Sequence, residues 1–285
     1  HVATDKGLEP VRNPATVQDL LRHTAGLTYE FLGDSPVQRQ YGDVKIGSRE
    51  RSNAEFSQTL ASVPLQFQPG SVWAYSRATD VLGRLVEVVS GQSLGAFLQT
   101  EILGPLGMVD TGFAVPPSQQ HRIAEPFAHD PDGGVPMKLF DPREQPAMES
   151  GGGGLMSTAM DYARFLQCLR NGGTLDGRRY LSRSTVALMT SDHLGPKVAT
   201  PVQPGEVLMG VQGYTFGLGF MVRQGAGMAG VHGSEGDFAW GGIGGTFFWV
   251  DPREQLVGVM MVQTPGAIRQ PYRRMIKTLV YQALE

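Results

Sequence analysis

Apolar and polar positions along this 285-residue chain change rhythm about three-quarters of the way through. From Pro14 the pattern reads as a helix start: Thr16 can cap, Asp19 suits the first turn, and Val17, Leu20 and Leu21 give an apolar face that ends near Gly26. A second helix is predicted over 53–61. The strongest helical period runs from Arg77 to Val89, with Val81, Leu82, Leu85, Val86, Val88 and Val89 forming a wide stripe and Gly91 as the stop. A short helix follows from Leu94 to Leu103. Residues 111–154 are rich in proline and glycine with little periodicity and read as a surface excursion. Ser157 or Thr158 then caps a helix through Leu169.

The last eighty or so residues read differently. Tyr214–Val222 has the composition of one strand, and Thr246–Val250 and Leu256–Val262 of two more, joined by the turn Asp251-Pro252-Arg253-Glu254. A closing helix from Gln270 to Leu284 carries Met275, Ile276, Leu279 and Val280 on one side. The expected fold class is α/β in the α+β sense. A mostly helical lobe spans 1–207, and an antiparallel sheet with a covering helix spans 208–285.

Composition narrows the function. Charged residues make up 18% of the chain and the net charge is -3, which gives no reason to expect nucleic acid or an anionic membrane as partner. No apolar run approaches the roughly 18 residues of a membrane span. Cys168 is the single cysteine, so no intrachain disulfide forms, and inside an apolar helix it reads as a buried small hydrophobe. The chain opens at His1 without a signal-peptide pattern, and a cytoplasmic location is the favoured expectation. The six histidines show no metal-ligand spacing, so neither a metal nor another cofactor is expected, and His23 reads as structural.

Two segments carry candidate chemistry. Trp240-Gly241-Gly242-Ile243-Gly244-Gly245-Thr246 precedes an apolar strand, and paired glycines at a strand edge mark a place where something approaches the backbone closely. A backbone exposed in that way can offer N–H groups to a developing oxyanion. The plainer reading is a glycine-rich turn in a hairpin. Far upstream stands Tyr75-Ser76-Arg77, which by itself could be a half-buried tyrosine before a helix. A third segment, Gly91-Gln92-Ser93-Leu94-Gly95, matches the Gly-x-Ser-x-Gly nucleophile elbow. That elbow needs a preceding strand, whereas Leu82–Val89 is helical in pattern, so Ser93 reads as a helix cap. Ser234 fails the same pattern because His232 occupies the first glycine position, and Gly151–Gly154 has no Gly-Lys-Ser/Thr after it.

Taken in order, 16–27 (TVQDLLRHTAGL), 68–76 (QPGSVWAYS), 102–108 (ILGPLGM), 151–158 (GGGGLMST) and 240–246 (WGGIGGT) resemble the serine β-lactamase and penicillin-binding-protein superfamily, and within it the family VIII carboxylesterases. The resemblance implies a β-lactamase-like fold and an acyl-enzyme mechanism on a small-molecule ester. It places Tyr75 as the catalytic loop tyrosine and Ile243 as the oxyanion donor. Trp240, Gly241 and Gly242 fall on the strand motif that lines the substrate, and Arg77 stands where an asparagine is usual. A phenolate at Tyr75 would need neighbouring cations, and Arg77 is a candidate to add charge.

The superfamily's nucleophile lies in Ser-x-x-Lys. Three residues before Lys6, Lys45, Lys138, Lys197 and Lys277 stand Ala3, Gly42, Val135, Leu194 and Arg274, so this chain has no such motif. The resemblance puts it upstream of Thr16–Leu27, on a preceding segment or a separate N-terminal chain of the same protein. The rival expectations are an acyltransferase or amide/β-lactam hydrolase of the same superfamily, and a non-catalytic binding member.

Overall fold

The computed structural model describes residues 1–126, 139–266 and 269–284, so part of the expected 111–154 excursion lies outside the described residues. The chain divides into two compact units, each discontinuous in sequence.

The first unit comprises residues 1–102, 145–155 and 194–202. It opens with a small antiparallel pair, β1 (Val2–Thr4) and β2 (Gly7–Glu9), followed by α1 (Val17–Leu21), α2 (Pro36–Asp43), α3 (Asn53–Ala61), α4 (Ala78–Ser90) and α5 (Leu94–Leu98). Local chemistry sets where these helices begin. Thr16, Ser35 and Ser52 each accept from the N3 amide, while Asp19, Gln38 and Glu55 reach back to the cap amide, giving three reciprocal capping boxes. Their inner faces meet in a core of Ala25, Leu27, Val37, Tyr41, Ile46, Phe56, Leu60, Ala78 and Met148.

Helix α2 is an addition, since no element is predicted over 36–43. Three expectations also change here. In α4 the deeply buried positions are Ala78, Asp80 and Gly83, while Val88 and Val89 face solvent, so the apolar stripe does not extend to the helix end. The narrow face packs against Leu94 and Gly151, where Cβ atoms would collide. The end of the glycine-rich excursion is also built into this core: Met148 is buried, and Glu149 accepts from the Gly95 amide. The helix expected over 94–103 divides into α5 and a π-helical turn, Gln99–Leu103.

The second unit comprises residues 103–144, 156–193 and 203–285. It contains α6 (Gly104–Leu106), α7 (Ala159–Arg170), the short pair β3 (Thr174–Leu175) and β4 (Arg178–Arg179), α8 (Arg183–Met189) and α9 (Pro204–Met209). A five-stranded antiparallel sheet follows, in the order β5 (Tyr214–Phe216), β6 (Met221–Arg223), β7 (Phe238–Gly241), β8 (Phe247–Asp251) and β9 (Leu256–Met260), and then α10 (Arg269–Gln282). The units thus cut across a division at residue 207. Leu166 and Leu169 of α7 and Val186 of α8 have their apolar complement at Phe220 of the β5–β6 turn and at Val222, Phe238, Phe248 and Val250 of the sheet. Burying that surface requires these helices to pack with the strands.

The single strand expected at Tyr214–Val222 is a hairpin, because Gly217, Leu218 and Gly219 turn the chain between β5 and β6. The inner face of α10 is also not the expected one. Met275 and Leu279 are exposed, whereas Arg273 and Lys277 are buried. Two cations occupy the buried side because the sheet and its loops supply acceptors for both.

Candidate active site

The first unit organises the Tyr75 corner from α1 outward. The carboxylate of Asp19 accepts from Thr16 Oγ1 at 2.6 Å, from Thr24 Oγ1 at 2.8 Å and from Arg22 at 2.9 Å. Burial opposes ionisation of Asp19, but these bonds outweigh it and hold the carboxyl below its usual range. The result is a rigid turn after α1 in which His23 takes φ 57° and Gly26 φ 83°. A side chain at Gly26 would run into the Phe67 carbonyl at 2.2 Å, so glycine is required there on both counts.

His23 is buried, and desolvation lowers its pKa to about 3, so the imidazole is neutral at physiological pH. Its Nδ1 lies 3.2 Å from Ser76 Oγ, and its ring meets the Tyr75 ring edge-on, with centroids 5.0 Å apart. Tyr29 also packs against Tyr75 at the same 5.0 Å and shares a hydrogen bond with it. Burial and then the charge on a Tyr75 phenolate push the Tyr29 phenol well above its ordinary pKa. Tyr29 therefore stays protonated and is the donor in that pair.

Arg77 belongs to the same corner. Its guanidinium lies 4.8 Å from the Tyr29 ring centroid, is paired with Glu30, and sits 3.4 Å from Asp80 Oδ2. Burial works against its charge, but Glu30 and Asp80 raise its pKa overall. Its positive charge is thus matched by two carboxylates. Ser93 caps α5, accepting from the Ala96 amide at 3.2 Å, with helix α4 ahead of it. That is the arrangement expected of a cap.

In the second unit, Trp240 and Gly241 end β7 and Phe247 begins β8, with Gly242–Thr246 as the connecting turn. The close approach signalled by the glycines is made from within the unit. A Cβ at Gly241 would lie 2.6 Å from the Thr246 carbonyl and 3.0 Å from Arg273, and one at Gly242 would lie 2.3 Å from Thr246 Oγ1. The Gly242 amide donates to the Thr246 carbonyl at 2.9 Å, closing the turn. Trp240 packs edge-on against Phe216, with ring centroids 5.3 Å apart. Ile243 is exposed, and among the described residues none accepts from its N–H. That amide is available to bind an incoming oxygen.

Tyr75 and Arg77 are thus grouped in one unit, and Trp240, Gly241, Gly242 and Ile243 in the other. The sequence marks His23 as structural only; its contact with Tyr75, and those of Tyr29, Glu30 and Asp80 in the same corner, are set by tertiary packing and leave no local signal. Only the Thr16–Leu27 motif hinted at them. Among the described residues no cluster of three or more His, Cys, Asp or Glu side chains is placed to hold a metal ion.

Comparison with known proteins gives this geometry its family. A family model described as Beta-lactamase matches residues 5–280. Protein Rv1367c of Mycobacterium tuberculosis is 35% identical over 266 residues, covering 89% of this chain and 63% of that protein. Esterase EstB of Burkholderia gladioli is 31% identical over 285 residues, covering 90% of this chain and 66% of its own. Among solved structures, EstCE1, described as a hydrolase with promiscuous acyltransferase activity, superposes with a TM-score of 0.74 at 25% identity, covering 98% of this chain and 74% of that one. The chain therefore belongs to the β-lactamase family and has its fold of helices and antiparallel sheet. At family level its relatives are hydrolases and acyltransferases, esterases among them. The chain spans less than two thirds of the length of the first curated relatives it matches.

Proposed function

We propose that the protein carrying this chain is a carboxylesterase that cleaves short-chain esters through an acyl-enzyme. The observation that carries the reading is Tyr75, half-buried and packed against both a neutral His23 and a protonated Tyr29. A tyrosine near its ordinary pKa is a poor base, and a hydrogen bond donated by Tyr29 stabilises its phenolate.

The nucleophilic serine and its lysine belong to a Ser-x-x-Lys segment that precedes this chain. The serine oxygen attacks the ester carbonyl carbon as its proton leaves toward the lysine and Tyr75. The tetrahedral oxyanion collapses, and the alcohol departs with the proton that Tyr75 relays. Water then attacks the acyl-serine, releasing the acid and restoring the serine hydroxyl. The Ile243 N–H binds the oxyanion in both steps, while Trp240, Gly241 and Gly242 line the acyl group. Arg77, with its charge matched by Glu30 and Asp80, serves substrate binding by bracing Tyr29. With Trp-Gly-Gly in place of Lys-Thr-Gly, the strand offers no cation to a substrate carboxylate, which favours neutral esters over penicillins.

Removing a positioned acid–base group costs about 10²–10⁴-fold in rate. Tyr75→Phe is therefore expected to lower kcat on p-nitrophenyl butyrate at least ~100-fold without altering the melting temperature. Wild-type rates in that variant would rule the assignment out. Acyl transfer to an alcohol is the second reading, favoured by the promiscuous acyltransferase activity of the structural relative EstCE1. Product analysis with a competing alcohol separates the two: a mixed ester marks transfer, and free acid alone marks hydrolysis.

A further inference from the structure

The proposed oxyanion donor is one face of a peptide group whose other face is held by a buried cation. Arg273, on α10, is almost fully buried in the second unit. One guanidinium nitrogen, Nη2, donates to the Gly242 carbonyl at 2.6 Å and to the Thr246 carbonyl at 3.0 Å. The other, Nη1, donates to the Leu208 carbonyl of α9 at 2.9 Å. The Gly242 carbonyl and the Ile243 N–H belong to the same peptide unit. That unit is planar and trans, so fixing its oxygen against Arg273 turns its N–H the opposite way, away from the guanidinium.

A charge-assisted bond to a carbonyl oxygen also draws electron density from the amide and strengthens its N–H as a donor. The fit is close on both sides. A Cβ at Gly241 would stand 3.0 Å from the Arg273 guanidinium, so the glycine that opens the turn leaves room for this cation.

We propose that Arg273 is a positioning residue for catalysis: it orients and polarises the Gly242–Ile243 peptide so that the Ile243 N–H is preorganised for the oxyanion. The inference rests on the reading of Ile243 as oxyanion donor. Preorganised donors contribute to the transition state more than to the ground state, so loss of Arg273 is expected in kcat rather than KM.

Arg273→Lys keeps the charge but loses the two-nitrogen reach. It should lower kcat on p-nitrophenyl butyrate ~10–100-fold, at or below the roughly 10²–10³-fold cost of removing an oxyanion donor outright, and leave KM within about twofold. In Arg273→Ala, guanidinium chloride at sub-denaturing concentration should restore kcat several-fold, while equal sodium chloride does nothing. The ¹⁵N and ¹H shifts of the Ile243 amide should move upfield in Arg273→Lys.

A folded Arg273→Lys with wild-type kcat and unmoved Ile243 resonances overturns the proposal, as does a parallel rise in KM that accounts for the whole loss. If neither variant folds, the wild-type protein decides: a hydrogen-bond correlation between Arg273 Nη and the Gly242 carbonyl carbon must be present, and its absence overturns the idea. Failure of the underlying reading has a separate signature. A wild-type protein with no ester turnover and no fluorophosphonate adduct sinks the esterase assignment and the catalytic role with it, whatever the Ile243 shifts show.

Discussion

The rings packed against Tyr75 and the network beneath the second unit's sheet hold buried polar groups in opposite ways. Against Tyr75 itself burial neutralises: His23 is stripped of its charge by desolvation and Tyr29 is kept a phenol, while Arg77, in contact with Tyr29, has its charge matched by Glu30 and Asp80. Beneath the sheet of the second unit, burial is met with opposite charge. Lys277 Nζ donates to Asp237 Oδ2 at 2.8 Å and to the Tyr214 hydroxyl at 3.3 Å. Arg223, also buried, donates to the carbonyls of Gly225, Ala226, Val231 and His232 and lies 3.7 Å from Asp237. Tyr281 and the Ser234 amide both donate to Asp251. Desolvation pushes the Asp237 carboxyl up and the Lys277 ammonium down, and each is opposed by its partner's charge. A corner that must pass a proton benefits from groups that stay neutral. A scaffold that must keep a hairpin and a helix in register benefits from directional ionic bonds, whose removal one partner at a time is costly.

The largest way to break this contrast is Lys277→Met, which leaves Asp237 buried without its nearer cation, with only Arg223 at 3.7 Å. It should cost about 3–5 kcal/mol in urea unfolding, with much less lost when Asp237→Leu is added, because the pair as a whole can be replaced by apolar groups. A small single-variant effect would mean that the network is not what holds α10.

Next comes His23, whose signature is pH. Its folded pKa of about 3 lies below the ordinary 6.5, so between these values the unfolded chain binds a proton that the folded chain does not. Stability is untouched by this group above pH 6.5. It falls as pH drops through the window toward 3, by up to about 1.4 kcal/mol per unit. His23→Gln should flatten that part of the acid limb in a melting-temperature series, and an unchanged slope would count against the neutral-histidine account.

The smallest expected effect is Ser93→Ala, which removes a cap worth about 1 kcal/mol and should leave ester turnover at its wild-type rate. Loss of turnover would instead make Ser93 the nucleophile and reassign the corner around Tyr75.

Much of the local structure was legible because its causes are local. Helix α3 falls on its expected residues, since Ser52 and Glu55 form its capping box within four positions of each other. Helix α7 begins after Thr158, and the strands β8 and β9 follow their apolar runs. The glycine pair after Trp240 correctly announced a close approach, but not what approaches. Thr246 comes closest to both glycines, and Arg273, 31 residues from Gly242 in sequence, reaches Gly241 and the Gly242 carbonyl. The turn at Gly217–Gly219 was hidden inside an apolar run, and helices α2, α8 and α9 are too short to show a period.

By itself, then, the sequence determined where helices start, that a closing antiparallel sheet exists, and which motifs, Tyr75 and Trp240–Ile243, stand in the order of the family, because capping, alternation and motif spacing act over a few residues. Only the tertiary structure decided which face of α10 is buried, why Arg77 carries no unmatched charge, and which cation grips the Gly242 carbonyl. Those outcomes depend on acceptors and carboxylates delivered from distant parts of the chain, and hydropathy along one helix has no means of anticipating a buried arginine whose partners lie elsewhere in the fold.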